Sequence, residues 1–518
     1  MKIPQVAAEP LGGSPLARCA EDASNPWYEA RPRSAAAWRA RAEQTRAEFA
    51  RRDWLGPLEE ALQLGGTALT RLQRVVDQNG VLVTTGQQPG LFGGPLYTLY
   101  KALTALALAD AIESTTGVPA APLFWAATDD TDFEEARHAA IALPGGLRRL
   151  SLPANAAAEG RALGDYPLGD VSELMTLVLH GAASGANTTA AQAVRAAHHA
   201  GATLGSAYVG LLRTVLQPLG IPVLDAHDES LRRAAGGALR RALASADGVA
   251  QAVRTRSAAI RDAGFAPQVH DVDKLSLVWA WDGGTRRRYA LTEAAEAARR
   301  APEGSLSPTV LLRPALERQL LPTVAYVAGP GELAYFAQVS AVAKALDWAT
   351  PLAVPRWSGT LIEPHIQRLL ERLAIDRSAL TQPGVVETTV ARRAVPTVVQ
   401  SALAGLRTDV ASRLALAKEG GAHLLPDAVT DGAERQLLHK LDRLERRFVA
   451  ATKRHEQQLM RDVATVLGAL HPDGGRQERT LSWAPLVARH GDPLLLALRA
   501  AAADHASSLI DPTSSDAR

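Results

Sequence analysis

Between Gly80 and Asp132 the chain carries one pattern that restricts its fold more than any other: a β-branched run, a glycine-rich loop, an apolar helical stretch, and an apolar run ending in acids. Val81 to Thr84 follows an Asn-Gly pair and reads as a strand; Gly86, Gly90, Gly93, Gly94 and Pro95 break it; Leu96 to Ile112 then reads as a helix. Pro122 to Ala127 is the next strand, and Asp129, Asp130 and Asp132 follow it. Strand, helix and strand in this space predict a parallel βαβ crossover, hence an α/β core. Ile221 to Leu224 is a further strand candidate that stops at Asp225. In open parallel sheets ligands gather beyond the carboxyl ends of the strands, so polar residues just after strands are the functional candidates.

Other stretches differ in texture. Residues 34–63 suit an opening helical segment, since Ala, Arg and Glu dominate them. Residues near 150–205 and 235–305 read as insertions into the core, the second holding an alternating run, Leu275 to Ala280. From 395 the apolar residues Leu403, Leu406, Val410, Leu414 and Ala417 step by three or four. A break at 419–426 follows, and Leu437, Leu441, Leu444, Phe448 and Ala451 resume the spacing. An antiparallel helical hairpin over 395–470 is expected, with Arg443, Glu445, Arg446 and Arg447 on a solvated face and a C-terminal segment at 471–518.

With 518 residues the chain exceeds what a single growing core usually holds. Fifty-six Lys plus Arg against 54 Asp plus Glu is too balanced to indicate nucleic acid or an acidic membrane. The single cysteine, Cys19, rules out an intrachain disulfide and a multi-thiolate zinc site. The N-terminal segment lacks an unbroken apolar h-region, and no apolar run approaches about 20 residues. A soluble, cytoplasmic protein is expected. The histidines lie outside zinc-binding patterns, and no G-x-S-x-G elbow occurs.

Three segments carry candidate chemistry. In TGQQPGLFGGPLYTLYK, Thr85 to Lys101, glycines before a helix N-terminus suit a phosphate or carboxylate cradle, and equally a tight structural turn; Gln87, Gln88 and Lys101 favour a ligand. In FWAATDDTDF the three aspartates suit a divalent cation or an ammonium group, or else a helix cap. In the third, Leu311 to Gln338, Gly329, Gly331 and Glu332 open another turn before a helix. Arg313 within it, and Arg356 further on, could hold an anion bidentately or form structural ion pairs.

With LLRPALERQLLP, AGPGELAYFAQ, VPRWSGTL, GFAPQVH at 264–270, NPWYEARP near the N-terminus and GGRQERTL at 474–481, these segments resemble the bacillithiol cysteine-adding enzymes over nearly the whole chain. The resemblance implies a Rossmann-like parallel-sheet core, here 1–394, related to class I aminoacyl-tRNA synthetases, with inserted connecting segments and a C-terminal α-helical coiled coil that makes a homodimer. It implies a ligase that joins L-cysteine to the glucosamine amine of malyl-glucosamine, with ATP expected and Mg²⁺ a candidate companion. On this reading Asp129, Asp130, Asp132, Lys101 and Arg313 are the catalytic candidates. Thr85, Gly86, Gln87, Gln88, Gly94, Pro95, Tyr97, Trp125, Gly329, Gly331, Glu332, Tyr335 and Arg356 are the candidates for substrate or nucleotide binding. The chain departs from the family where Thr131 replaces a histidine, and where Glu317 and Arg318 replace a Gln-Asp pair. Either the chemistry is kept in a divergent member or the substrate differs; a same-fold ligase for another amino acid and a non-catalytic dimeric scaffold are the other readings.

Overall fold

The computed structural model describes residues 3–185, 188–270 and 274–511, and the chain divides into two compact units. One comprises Met1–Ile141, Arg149–Leu361 and Glu478–Arg518; the other comprises Ala142–Arg148 and Ile362–Gln477. The strands of the first unit that matter here are β1 (Val81–Gln87), β2 (Ala120–Ala126), β3 (Val223–Asp225), β4 (Leu275–Asp282), β5 (Thr285–Ala290), β6 (Leu306–Pro308), β7 (Thr323–Ala328) and β8 (Ala353–Pro355). Its principal helices are α1 (Leu96–Thr116), α2 (Glu229–Ala244), α3 (Ala246–Asp262), α4 (Arg313–Leu320) and α5 (Pro330–Ala345).

Five strands form a parallel sheet in the order β8-β7-β1-β2-β3. β2 is buried along its whole length and β1 over all but its last residue, the condition for a sheet covered on both faces and the reason their sequences read as continuous apolar runs. The chain runs from β1 outward to β2 and β3 on one side, and through β7 to β8 on the other. The order therefore reverses between β1 and β7, and a crevice opens at such a switch point beyond the carboxyl ends of the strands. Between β3 and β7 the chain inserts α2 and α3, then a three-stranded antiparallel sheet in the order β5-β4-β6.

In the second unit, α6 (Thr397–Gly421) and α7 (Asp427–His455) form the expected hairpin. Ion pairs Arg407–Asp442, at 2.6 Å, and Lys418–Asp431, at 2.8 Å, set its antiparallel register, because their residue numbers converge toward the turn. The unit begins earlier than 395, since the helices Pro364–Leu373 and Pro383–Arg393 precede the hairpin; both are too short for heptad spacing to mark them. Glu445 is not simply solvated but pairs with Arg407 and Arg392, while Arg443, Arg446 and Arg447 are exposed.

Candidate active site

A cavity of about 610 Å³ lies in the first unit where the strand order reverses. Its walls come from residues at or just past strand ends: Gln87, the last residue of β1, and Gln88 after it, Asp129 and Asp130 after β2, Gly329 to Glu332 after β7, and Arg356 after β8. Helix α1 adds Tyr97 and Lys101, four residues apart and so on one face. Helix α4 adds Arg313, and the antiparallel sheet adds Trp279, Arg286 and Arg288.

The two adjacent aspartates have different surroundings. Asp130 accepts hydrogen bonds from the Gln88 amide and, at 3.0 Å, from Arg286 Nη2. Asp129 is 9% exposed and has no side-chain hydrogen bond among the described residues. Burial pushes its carboxyl up to about 6, the neighbouring Asp130 adds to the rise, and Arg286 opposes it. Asp132 lies elsewhere: it is exposed, outside the cavity, and caps the short helix Phe133–Ala136 by accepting from the Glu135 N–H at 3.0 Å.

Part of the cavity wall is a buried charge network. Lys101 Nζ lies 2.6 Å from Glu332 Oε2 and donates to the Gly86 carbonyl. Glu332 also accepts from Tyr326 Oη at 2.6 Å and from the Gly329 N–H at 2.7 Å, which satisfies one free backbone donor at the start of α5. Burial works to raise the Glu332 carboxyl, but Lys101, Arg313 and the Gly329 N–H together hold it below its ordinary value. Burial lowers Lys101, against the pull of Glu332. Arg313 donates to Glu317 at 2.9 Å and to Tyr326 Oη at 3.0 Å. Burial pushes Glu317 up to about 7 even against that guanidinium.

Several residues expected to bind a ligand have structural work instead. The Arg356 guanidinium meets the buried Glu478 carboxylate bidentately, at 2.8 and 2.9 Å, so its fork is already filled. Thr85 is buried and donates to the Val327 carbonyl at 2.8 Å, tying β1 to β7. Gly94 and Pro95 do not line the cavity, and other parts of the chain pack on the loop around them. The Leu96 N–H at the start of α1 donates to the Leu481 carbonyl at 2.9 Å, and Trp483 Nε1 donates to the Gly93 carbonyl at 2.7 Å. Gly93 has φ +86°, and a Cβ there would lie 2.5 Å from the Trp483 ring, so this glycine is needed for packing. Gly86, Gln87, Gln88, Tyr97, Trp125, Gly329, Gly331, Glu332 and Tyr335 do line the cavity.

The departures at 131 and 318 also find their places. Arg318 points away from the cavity, pairing with Glu48 and stacking 5.6 Å from the Phe49 ring. Thr131 does not line the cavity, and its backbone N–H binds Asp130. Residue-level reading missed Arg286, Trp279 and Arg288, where a guanidinium lies 4.8 Å from an indole. The Trp-x-Trp alternation facing three consecutive arginines, Arg286 to Arg288, was the available signal. Arg479, also on the wall, lies inside the GGRQERTL segment at 474–481.

A parallel five-stranded sheet with a polar cavity at its switch point, lined by an unpaired carboxyl and several guanidinium groups, defines a Rossmann-like α/β protein with an enzyme-type site. Residues 19–357 match the family model "Bacillithiol biosynthesis BshC, N-terminal Rossmann-like domain", and residues 359–507 match the corresponding C-terminal coiled-coil domain. The chain belongs to this family. Its relatives include proteins named "Putative cysteine ligase BshC" from Solibacter usitatus, 31% identical across 83% of this chain and 84% of that protein, and from Salinibacter ruber, 29% identical across 91% and 90%. A third, from Thermus thermophilus, is 30% identical across 86% and 90%.

Proposed function

We propose that the protein joins the carboxyl group of L-cysteine to the glucosamine amine of malyl-glucosamine, completing bacillithiol in the cytoplasm. The observation that carries this reading is Asp129, a buried, unpaired carboxyl facing the cavity beside an Asp130 anchored by Gln88 and Arg286. An amine attacks only after losing its proton, so an ammonium group held at Asp129 hands that proton to a carboxylate whose pKa of about 6 suits the exchange near neutrality. Asp130, kept in place by Gln88 and Arg286, orients the same amine by its charge. Arg313, held by Glu317 and Tyr326, faces the cavity and stabilises charge developing on the attacked carbonyl.

Amide formation from a free carboxylate is uphill in water, and ATP supplies the activation. Gly86 to Gln88 and Gly329 to Gly331 line the cavity on either side of the switch point and are the segments that fit a nucleotide there; Gly94 and Pro95 are not. Among the described residues no three His, Cys, Asp or Glu side chains gather as a metal site. A Mg²⁺ that keeps its waters and rides on phosphates needs only one or two carboxylates, and Asp130 is the cavity carboxylate that would serve it while Asp129 takes the proton. Cys19 does not line this cavity, and burial raises its thiol, which suits a protein whose reactive thiol belongs to the substrate.

The hairpin in the second unit supports a homodimer as part of this reading. Leu406, Leu437, Leu444 and Phe448 are all more than a third exposed, an apolar display that a second copy would cover. No helix among the described residues is long and apolar enough to cross a membrane.

Purified protein incubated with ATP, L-cysteine and malyl-glucosamine is expected to yield the cysteinyl conjugate by mass spectrometry, with AMP or ADP identifying how the carboxyl is activated. Replacing cysteine by serine or alanine tests the amino acid. A faster reaction with either would sink the cysteine assignment, and no conjugate with any of the three would sink the ligase.

A further inference from the structure

Six cationic side chains line the cavity: Lys101, Arg286, Arg288, Arg313, Arg356 and Arg479. Five are committed within the protein. Lys101 is held by Glu332, Arg286 by Asp130, Arg313 by Glu317, and Arg356 by Glu478. Arg288 directs Nε and Nη2 to the Ser276 carbonyl at 2.9 and 2.6 Å. Turning any of the four ion-paired groups toward a ligand would strand a partly or wholly buried carboxylate, which is strongly unfavourable. Arg479 makes no hydrogen bond or ion pair with any described residue and is exposed on the wall of the same cavity. Its charge is felt at Glu135 and at the Tyr97 hydroxyl, and it pairs with neither.

Its backbone is nonetheless held in place. The preceding residue, Glu478, is 2% exposed and is gripped by Arg356 on one side and by the Ser358 hydroxyl, at 3.0 Å, on the other. A free guanidinium on an anchored backbone, facing a cavity, offers its whole donor fork to an oxyanion.

We infer that Arg479 is the anion-binding residue of this cavity, taking a carboxylate or phosphate oxygen of the incoming substrate, a role for which the sequence offered Arg313 and Arg356 as candidates beside structural ion pairing. Placing a substrate anion here rests on the ligase reading, in which both the sugar conjugate and the nucleotide carry one. The shared chemistry is an oxyanion, and its source is open to direct measurement.

Calorimetric titration of L-malate, and separately of ATP with Mg²⁺, into the full-length protein and into R479Q and R479K tests this. One of the two ligands is expected to bind R479Q about ten- to a hundredfold more weakly, the usual span for losing a charge-assisted hydrogen bond. R479K, which keeps the charge without the fork, should recover part of that loss. Weakened malate points to the sugar conjugate, and weakened ATP to the nucleotide. Unchanged affinity for both ligands, or wild-type protein that binds neither, overturns the assignment. So does a large drop in the R479Q melting temperature, because an unpartnered side chain leaves nothing to lose. Protein that binds either ligand through Arg479 yet forms no conjugate would overturn the ligase reading alone.

Discussion

Asp129 and Asp130 are neighbours in sequence and opposites in circumstance, because partners and burial, not residue type, set a carboxyl's proton affinity. Asp130 has the Gln88 amide and Arg286; Asp129 has neither. With the Asp129 pKa raised to about 6, the proton-accepting form appears as pH rises through that value, so the wild-type kcat/KM should climb to a plateau above it. Asp129→Asn should lower kcat by roughly 10²- to 10³-fold and abolish that limb in a pH–rate profile, at a melting temperature no lower than that of the wild type, since it removes a buried charge. His198 is a second case of environment overriding type. It is buried, accepts from the Phe92 N–H at 3.2 Å, donates to the Val194 carbonyl at 3.0 Å, and burial lowers its pKa to about 4. The unfolded chain takes up this proton first, near pH 6.5, so stability should fall as pH drops from about 6.5 to 4, by up to about 3 kcal/mol. Denaturant unfolding across that range checks this, and His198→Phe should flatten this part of the dependence.

The glycine-rich loop and the segment 477–483 show how one element determines what another can do. A strand, glycines and a helix N-terminus make a pattern that in isolation fits anion binding. In the folded chain the Leu481 carbonyl and the Trp483 indole occupy the loop, and Glu478 fills the Arg356 fork. The Arg356–Glu478 pair is almost wholly buried, 2% and 3% exposed, so removing one member leaves a desolvated charge. Glu478→Ala should destabilise the protein by about 3–5 kcal/mol in denaturant unfolding. The double variant Arg356→Met with Glu478→Leu should recover most of that loss, since no charge then remains buried.

At the scale of the whole molecule, the hairpin of α6 and α7 leaves a row of large apolar residues open along α7. Two helices alone cannot enclose such a row; a second copy can. Leu437 and Leu444 are seven residues apart and so share a helix face. Analytical ultracentrifugation should give a dimer for the wild type. Leu437→Glu combined with Leu444→Glu should give a monomer whose first unit still melts cooperatively.

Local pattern alone determined the α/β core, three of the five sheet strands, the hairpin and most of the cavity segments, because apolar periodicity and glycine placement are properties of neighbouring residues. The family was legible too, in short motifs carried in order along the chain. Tertiary structure alone decided which candidates face the cavity: it set Asp132 on a helix cap, Thr85 across two strands and Arg356 in an ion pair, and it brought in Arg286, Trp279 and Arg479. The physical reason is that whether a charged group is free or spent depends on partners such as Glu478, 122 residues from Arg356, and no local pattern records a pairing across that separation.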